Sequence, residues 1–189
     1  DRWRPEGLSA GTARPPLTLS PRPLADALNA SPAAATPSGI VLQFMPDPTV
    51  WDGSYANHAW LQELPKPFIK LTWDNAALIA PSTAANLGLE SGDLATLKLG
   101  DRTLEAAVFL NPGQPADTVS LSLGYGRRRA GRVGTGIGFN AYSLRTSGAP
   151  WFAGGLQITK TGRTYELAVT QQHHSLEGRD IVRWGDLEE

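Results

Sequence analysis

Two apolar runs separated by only two residues constrain this chain more than any other feature. Leu94-Ala-Thr-Leu-Lys-Leu99 is followed by Gly100-Asp101 and then by Arg102-Thr-Leu-Glu-Ala-Ala-Val-Phe-Leu110. A two-residue glycine turn between such runs makes a β-hairpin, because glycine accepts the positive φ that so tight a reversal demands. The same punctuation recurs throughout: 20 glycines and 15 prolines among 189 residues leave little room for long helices. Ile40–Met45 reads as a buried strand ended by Pro46, and Thr118–Leu123 as another. Lys66–Trp73 alternates, with Ile69, Leu71 and Trp73 on one side, and reads as a strand with one wet face. Leu156–Thr161, Gly162-Arg163 and Thr164–Thr170 repeat the hairpin pattern. Pro81–Gly88 reads as a helix of two turns, with proline in its first turn and Gly88 as its left-handed cap. Six or seven strands with one or two short helices make a mainly β chain, best closed as a compact barrel.

Residues 1–38 differ from this core. Seven prolines and an Ala/Ser/Pro run keep helix and ladder out of most of the stretch. One or two helical turns fit only around Leu24–Leu28. The segment is a connector laid over a larger partner surface, or a free linker. The barrel is expected over 39–170, and 171–189 is a polar tail leading to a following domain. The first residue, Asp1, is not followed by a signal-like apolar stretch, so a fragment or processed chain is expected.

Charge and cysteine content remove whole classes of function. With 17 basic and 18 acidic residues the net charge is −1, which gives no field for holding nucleic acid. The absence of cysteine excludes disulfides, thiolate metal sites and a thiol nucleophile. No apolar run is long enough to span a bilayer.

Three constellations remain. Between Leu123 and Asn140 six glycines stand among Arg127, Arg128, Arg129 and Arg132. Such a segment either grips phosphates through backbone nests and planar guanidinium forks, or is a surface loop with solvated arginines. It is not a dinucleotide fingerprint of the βαβ kind, since no βαβ unit surrounds it. Tyr55–Glu63 gathers Asn57, His58, Trp60, Gln62 and Glu63 before a strand, a set able to read a heterocycle's edge or to cap the core. Gln171–Glu177 places His173 and His174 side by side. Neighbours in sequence do not chelate one metal, nor does either histidine activate Ser175, so a docking tail is the reading there. The carboxylates form no spaced acid/base pair, and several of the six tryptophans suit a buried interface.

These residues also carry a resemblance. Trp73–Asp93, the hairpin after it and Asn111-Pro-Gly113 resemble the C-terminal domain of molybdopterin oxidoreductases, over about residues 40–150. The shared pattern is an alanine-containing helix, the turn Gly88-Leu-Glu-Ser-Gly-Asp93, a hairpin and a Pro-Gly. The fold this implies is a double-psi β-barrel of the aspartate-decarboxylase-like kind. Phe44–Pro65, Leu123–Tyr142 and Gln172–Arg179 are similar to the molybdopterin-like half of the iron–sulfur subunit of bacterial alternative complex III. That resemblance implies a structural domain of a quinol-oxidising electron-transfer complex on the periplasmic side of the membrane. Its partners would be other domains of the same polypeptide and further components of the membrane complex. No cofactor is expected in this chain, no metal, no catalytic residue and no membrane span, and iron–sulfur clusters belong only to a following domain. The family's cofactor-facing loops fall on Asn57, His58, Trp60, Gln62, Gly124, Tyr125, Gly126, Arg127 and Asn140. The alternative implied by the same family is a genuine molybdopterin guanine dinucleotide-binding domain. A self-processing decarboxylase of this architecture finds no support, since neither Ser38 nor Ser147 has a matching context.

Overall fold

The computed structural model describes residues 38–170 and the isolated positions Asp26 and Gly185. Apart from those two positions, the helical turn expected around Leu24–Leu28, the connector up to residue 37 and the tail with its histidines lie outside the described residues. Among the described residues the strands are β1 (Ile40–Met45), β2 (Ala77–Ile79), β3 (Asp93–Leu99), β4 (Arg102–Leu110), β5 (Thr118–Ser122) and β6 (Phe152–Thr164). They close in the order β1-β5-β2-β4-β3-β6. β1 runs parallel to β5 and β2 parallel to β4, while the other four pairings are antiparallel. The chain is thus mainly β, a closed six-stranded barrel consistent with the double-psi form.

Alternation fills the barrel. Leu42 and Phe44, Ala77 and Ile79, Ala95 and Leu97, Ala106 and Val108, Val119 and Leu121 point inward from five strands and join Leu156 of β6 in one core. Each large side chain buried this way stabilises the fold by about 1.5–3 kcal/mol. Small alanines facing Leu and Phe let the layers fit inside so narrow a cylinder. The hairpin forms as its glycine turn predicts, with Leu99 opposite Arg102 and Gly100 at φ 60°.

Short helical pieces accompany these strands: α1 (Ala59–Glu63), α2 (Pro81–Leu87), α3 (Gly131–Gly134) and a 3-10 turn at Ala141–Ser143. Pro81 opens α2, and Gly88, at φ 64°, closes it by donating its amide to Ala84 and Ala85. No helix among the described residues is long and apolar enough to cross a membrane.

Two expected elements are replaced. Lys66–Trp73 is not a strand: Lys66 N–H donates to Leu71 O and Lys70 N–H to Lys66 O, closing a tight turn. Phe68, Lys70 and Trp73 hold positive φ in it, a conformation no ladder accepts. Its alternating apolar residues instead cover the barrel's outer face, where Leu71 and Ile69 pack with Ala76, Leu78, Phe109, Leu167 and Val169. The second hairpin is likewise absent. β6 runs straight through Gly162-Arg163 and reaches Thr164 opposite Asp93, with a register shift between Asp93 and Ala95. Gly162, at φ 78°, lies within the strand instead of turning it. Residues beyond Thr164 leave the barrel wall and pair with the 66–73 turn, Leu71 opposite Val169.

Candidate functional site

At one end of the barrel β1 and β5 finish while β2 and β6 begin, so the loops 46–76 and 123–151 meet there. Most of the residues singled out in the sequence lie in these loops, and a buried polar centre joins the two.

The centre is Lys66, 2% exposed. Its Nζ donates to Asp74 O and to Tyr125 Oη, both at 2.8 Å, and lies 3.6 Å from Asp47 Oδ2. The same ammonium sits 4.6 Å from the centroid of the Tyr125 ring. Asp47 is fully buried, and its Oδ1 accepts from Thr49 N–H, Thr49 Oγ1 and Val50 N–H. Burial lowers the Lys66 pKa, and the Asp47 and Asp74 carboxylates push back. Burial first, then the Asp47 charge, raises the Tyr125 pKa, so its phenol stays protonated. Asp74 is also raised by burial, against the bonds from Tyr165 and the Asn75 amide. Lys66, beside the Asp47 carboxylate and bonded to the Asp74 carbonyl, clamps the 46–76 loop to the 123–151 loop through Tyr125. Two of its protons are committed to a carbonyl and a phenol, while the nearby Asp47 Oδ2, at 3.6 Å, has no hydrogen-bond partner among the described residues.

A second clamp is Asn75. Its Nδ2 donates to Ser122 O at 2.9 Å and Phe139 O at 3.1 Å, and its Oδ1 accepts from Phe139 N–H at 2.9 Å. The loop after β5 is thereby bonded to the entrance of β2. Glycine is required where the loops touch. A Cβ on Gly124 would stand 2.7 Å from Gly53 N, and one on Gly126 2.6 Å from Phe139 C.

The structure brings Arg127 and Asn57 together, and most of the other predicted residues bond to residues outside the set. Arg127 Nη1 donates to Asn57 Oδ1 at 2.7 Å. Gln62 is buried, and its Nε2 donates to Ala56 O at 2.9 Å. His58 caps α1, its Nδ1 accepting from Leu61 N–H. Asn140 caps the 3-10 turn by accepting from Tyr142 N–H. Trp60 stands 81% exposed and makes an edge contact with His58. No group of three or more metal-ligating side chains occurs among the described residues.

Sequence reasoning missed Lys66, Asp47 and Arg145. The first two each stand between prolines, in Pro65-Lys66-Pro67 and Pro46-Asp47-Pro48, where fixed φ on both sides holds a charge in place. That is the available signal. Arg145 has none, since its partners Tyr142, Pro150 and Trp151 come from the turn it closes.

No family model and no curated protein matches the chain. Among solved structures it is similar to acetylene hydratase from Pelobacter acetylenicus, at 20% identity and a TM-score of 0.42. That likeness covers 57% of this chain and 15% of the other, so the chain spans a small part of the protein it matches.

Proposed function

We propose that this chain is a molybdopterin-dinucleotide-binding-type barrel domain that serves as a structural module of a respiratory oxidoreductase, of the alternative complex III kind, without holding the cofactor itself. The reading rests on the sequence resemblance and on a barrel of the form that resemblance implies. In this reading the module lies on the periplasmic side of the membrane and bridges to other domains and to neighbouring subunits, and the redox centres lie elsewhere.

The observation that carries the structural role is the internal engagement of the cofactor-facing residues. Tyr125 and Gln62 are buried and bonded inside the domain. Arg127 is bonded to Asn57. Gly124 and Gly126 lie against the backbones of Gly53 and Phe139, where a Cβ would collide. This internal bonding of Tyr125, Gln62 and Arg127 supports a domain that does without the dinucleotide, while Asn57, His58, Trp60 and Asn140 of the same set are exposed.

Calorimetric titration of the full chain with guanosine diphosphate and with molybdopterin guanine dinucleotide tests this. No heat of binding is expected from either. Tight binding that Arg127→Ala and Asn140→Ala weaken together would replace the structural reading with a cofactor-binding one.

A further inference from the structure

Every exposed large apolar side chain among the described residues falls within Trp51–Phe68 or Val133–Phe152. Trp51, Trp60 and Trp151 are each more than half exposed. The two stretches are bonded to each other where Tyr142 Oη donates to Asp52 O at 2.8 Å, and Trp151 O accepts from Phe44 N–H at the end of β1. Exposed aromatic side chains gathered in two bonded loops of a small domain suit a place where another macromolecule sits.

Charge is one-sided only on the second of these stretches, since the first carries the exposed carboxylates of Asp52 and Glu63. No acidic residue occurs between Asp117 and Glu166. On the barrel wall the basic residues of β6 are matched, Lys160 to Asp93 and Arg163 to Glu105. The arginines of the loops, Arg127, Arg128, Arg129, Arg132 and Arg145, have no carboxylate partner among the described residues.

Arg145 is the best prepared of them. Its guanidinium lies 5.5 Å from the Tyr142 ring centroid and 4.9 Å from that of Trp151. Its Nε donates to Pro150 O at 2.6 Å, and Arg102 Nη1 donates to the Arg145 carbonyl at 2.8 Å. Stacking and these bonds fix the plane of the fork, while both Nη groups stay without a partner among the described residues. They open on a hollow of about 330 Å³ lined also by Thr146 and Ser147. A guanidinium immobilised in this way binds a carboxylate bidentately at little further entropic cost.

We propose that Arg145, between Tyr142 and Trp151, is the anchor on which an acidic, apolar-bearing surface of a partner protein docks over this end of the barrel. The inference rests on the structural-module reading and supplies its partner's chemistry. A second copy of the chain is disfavoured, because a two-fold contact would place arginine loops against arginine loops. A lipid surface would need no fixed fork, and lysine would serve it as well; no lysine occurs between Asp117 and Thr159.

The test uses the full chain and an array of short peptides alternating Asp or Glu with Leu, Phe or Trp, each with a twin in which Asn or Gln replaces the acid. Binding to the acidic members is expected, about tenfold or more weaker to the twins, and weakened by at least about tenfold in Arg145→Ala. Arg145→Lys keeps the charge but not the fork and loses most of the affinity, while Arg163→Ala on the barrel wall leaves it unchanged. Near-ultraviolet circular dichroism confirms that each variant is folded; if Arg145→Ala is not, Arg145→Lys decides. Absence of binding, equal binding to acidic and amide peptides, or indifference to Arg145 would overturn the proposal. So would Arg145-dependent binding to phosphatidylglycerol vesicles in preference to the peptides. None of these results touches the module reading, which fails only if the guanine dinucleotide binds.

Discussion

The β3–β4 hairpin and the paired loops 46–76 and 123–151 solve the same problem by opposite means. In the hairpin every partner is close in sequence, from Leu99 opposite Arg102 to Leu94 opposite Ala107. In the loops the stabilising bonds join residues far apart: Lys66 to Tyr125 across 59 positions, Arg127 to Asn57 across 70, Tyr142 to Asp52 across 90. A local pairing closes a short loop and needs only a turn and alternation. A distant one forms only after the barrel has brought its ends together, so its polar groups stay solvated until late. The hairpin is therefore robust to single changes, and the loops depend on a few buried groups.

The sharpest way to break this contrast is to remove the buried cation. Lys66→Met leaves Asp47 as an unpaired buried carboxylate and strips Tyr125 and Asp74 O of their donor. The expected loss is about 3–5 kcal/mol, read from urea unfolding. Combining Lys66→Met with Asp47→Asn should recover part of it, because no charge then remains stranded. In the hairpin region Glu105→Gln breaks the exposed pair with Arg163 and should cost no more than about 1 kcal/mol. A Lys66→Met loss no larger than the Glu105→Gln loss would mean that the buried network does not hold the loops.

Two glycines sharpen the comparison at smaller scale. Both Gly126 and Gly100 have positive φ, 76° and 60°, so alanine is strained at either. They differ in surroundings. A Cβ at Gly126 meets the Phe139–Asn140 backbone, whereas at Gly100 nothing lies within 4 Å. Gly100→Ala should cost about 1–2 kcal/mol, the left-handed penalty alone. Gly126→Ala must also displace backbone and should cost about 3 kcal/mol or more. Thermal melts of the two variants check the order, and equal costs would show that the loop shifts freely.

The same division governs what could be read in advance. The hairpin, β1, β5 and α2 were legible because each is announced locally: Gly100-Asp101 between alternating runs, Pro81 at a helix start, Gly88 at its end. β2 escaped, being three residues inside the apolar stretch Ala76–Ala80. The 66–73 turn imitated a strand because Ile69 and Leu71 must face the outer side of β2 and β4, and packing against a sheet imposes alternation without a ladder. Gly162-Arg163 carries a turn signal, but β6 resumes its pairing with β3 on either side of it, and the signal becomes a register shift between Asp93 and Ala95. Among the site residues, Asn57 and Arg127 were legible as residues of interest, but not as partners of each other. Nothing local in Tyr55–Glu63 or in the arginine loop encodes a bond across 70 positions.

Two carboxylates turn the comparison into opposite responses to pH. Asp93, in the hairpin, is held below the usual carboxylate value of 3.8 by the Lys160 ammonium and the Glu90 amide. It stabilises the folded chain above that value and loses this contribution as pH falls through its own lower pKa. Asp74, in the loop, is pushed above 3.8 because burial opposes its charge. Its sign is reversed: the folded state prefers the protonated acid, so its contribution is complete below 3.8 and is lost as pH rises through the raised pKa. The two act on opposite sides of 3.8, each over a narrow window, which makes this the smallest of the expected effects and one that variants separate. Asp93→Asn should flatten the acid limb of a plot of melting temperature against pH. Asp74→Asn, whose amide oxygen still accepts from Tyr165 and Asn75, should remove the decline on the other side of 3.8. If both variants changed the same limb, the loop carboxylate would be exposed to solvent in the same way as the hairpin one. The division between a locally built hairpin and a globally clamped loop pair would then fail at the residue that touches both Lys66 and the entrance of β2.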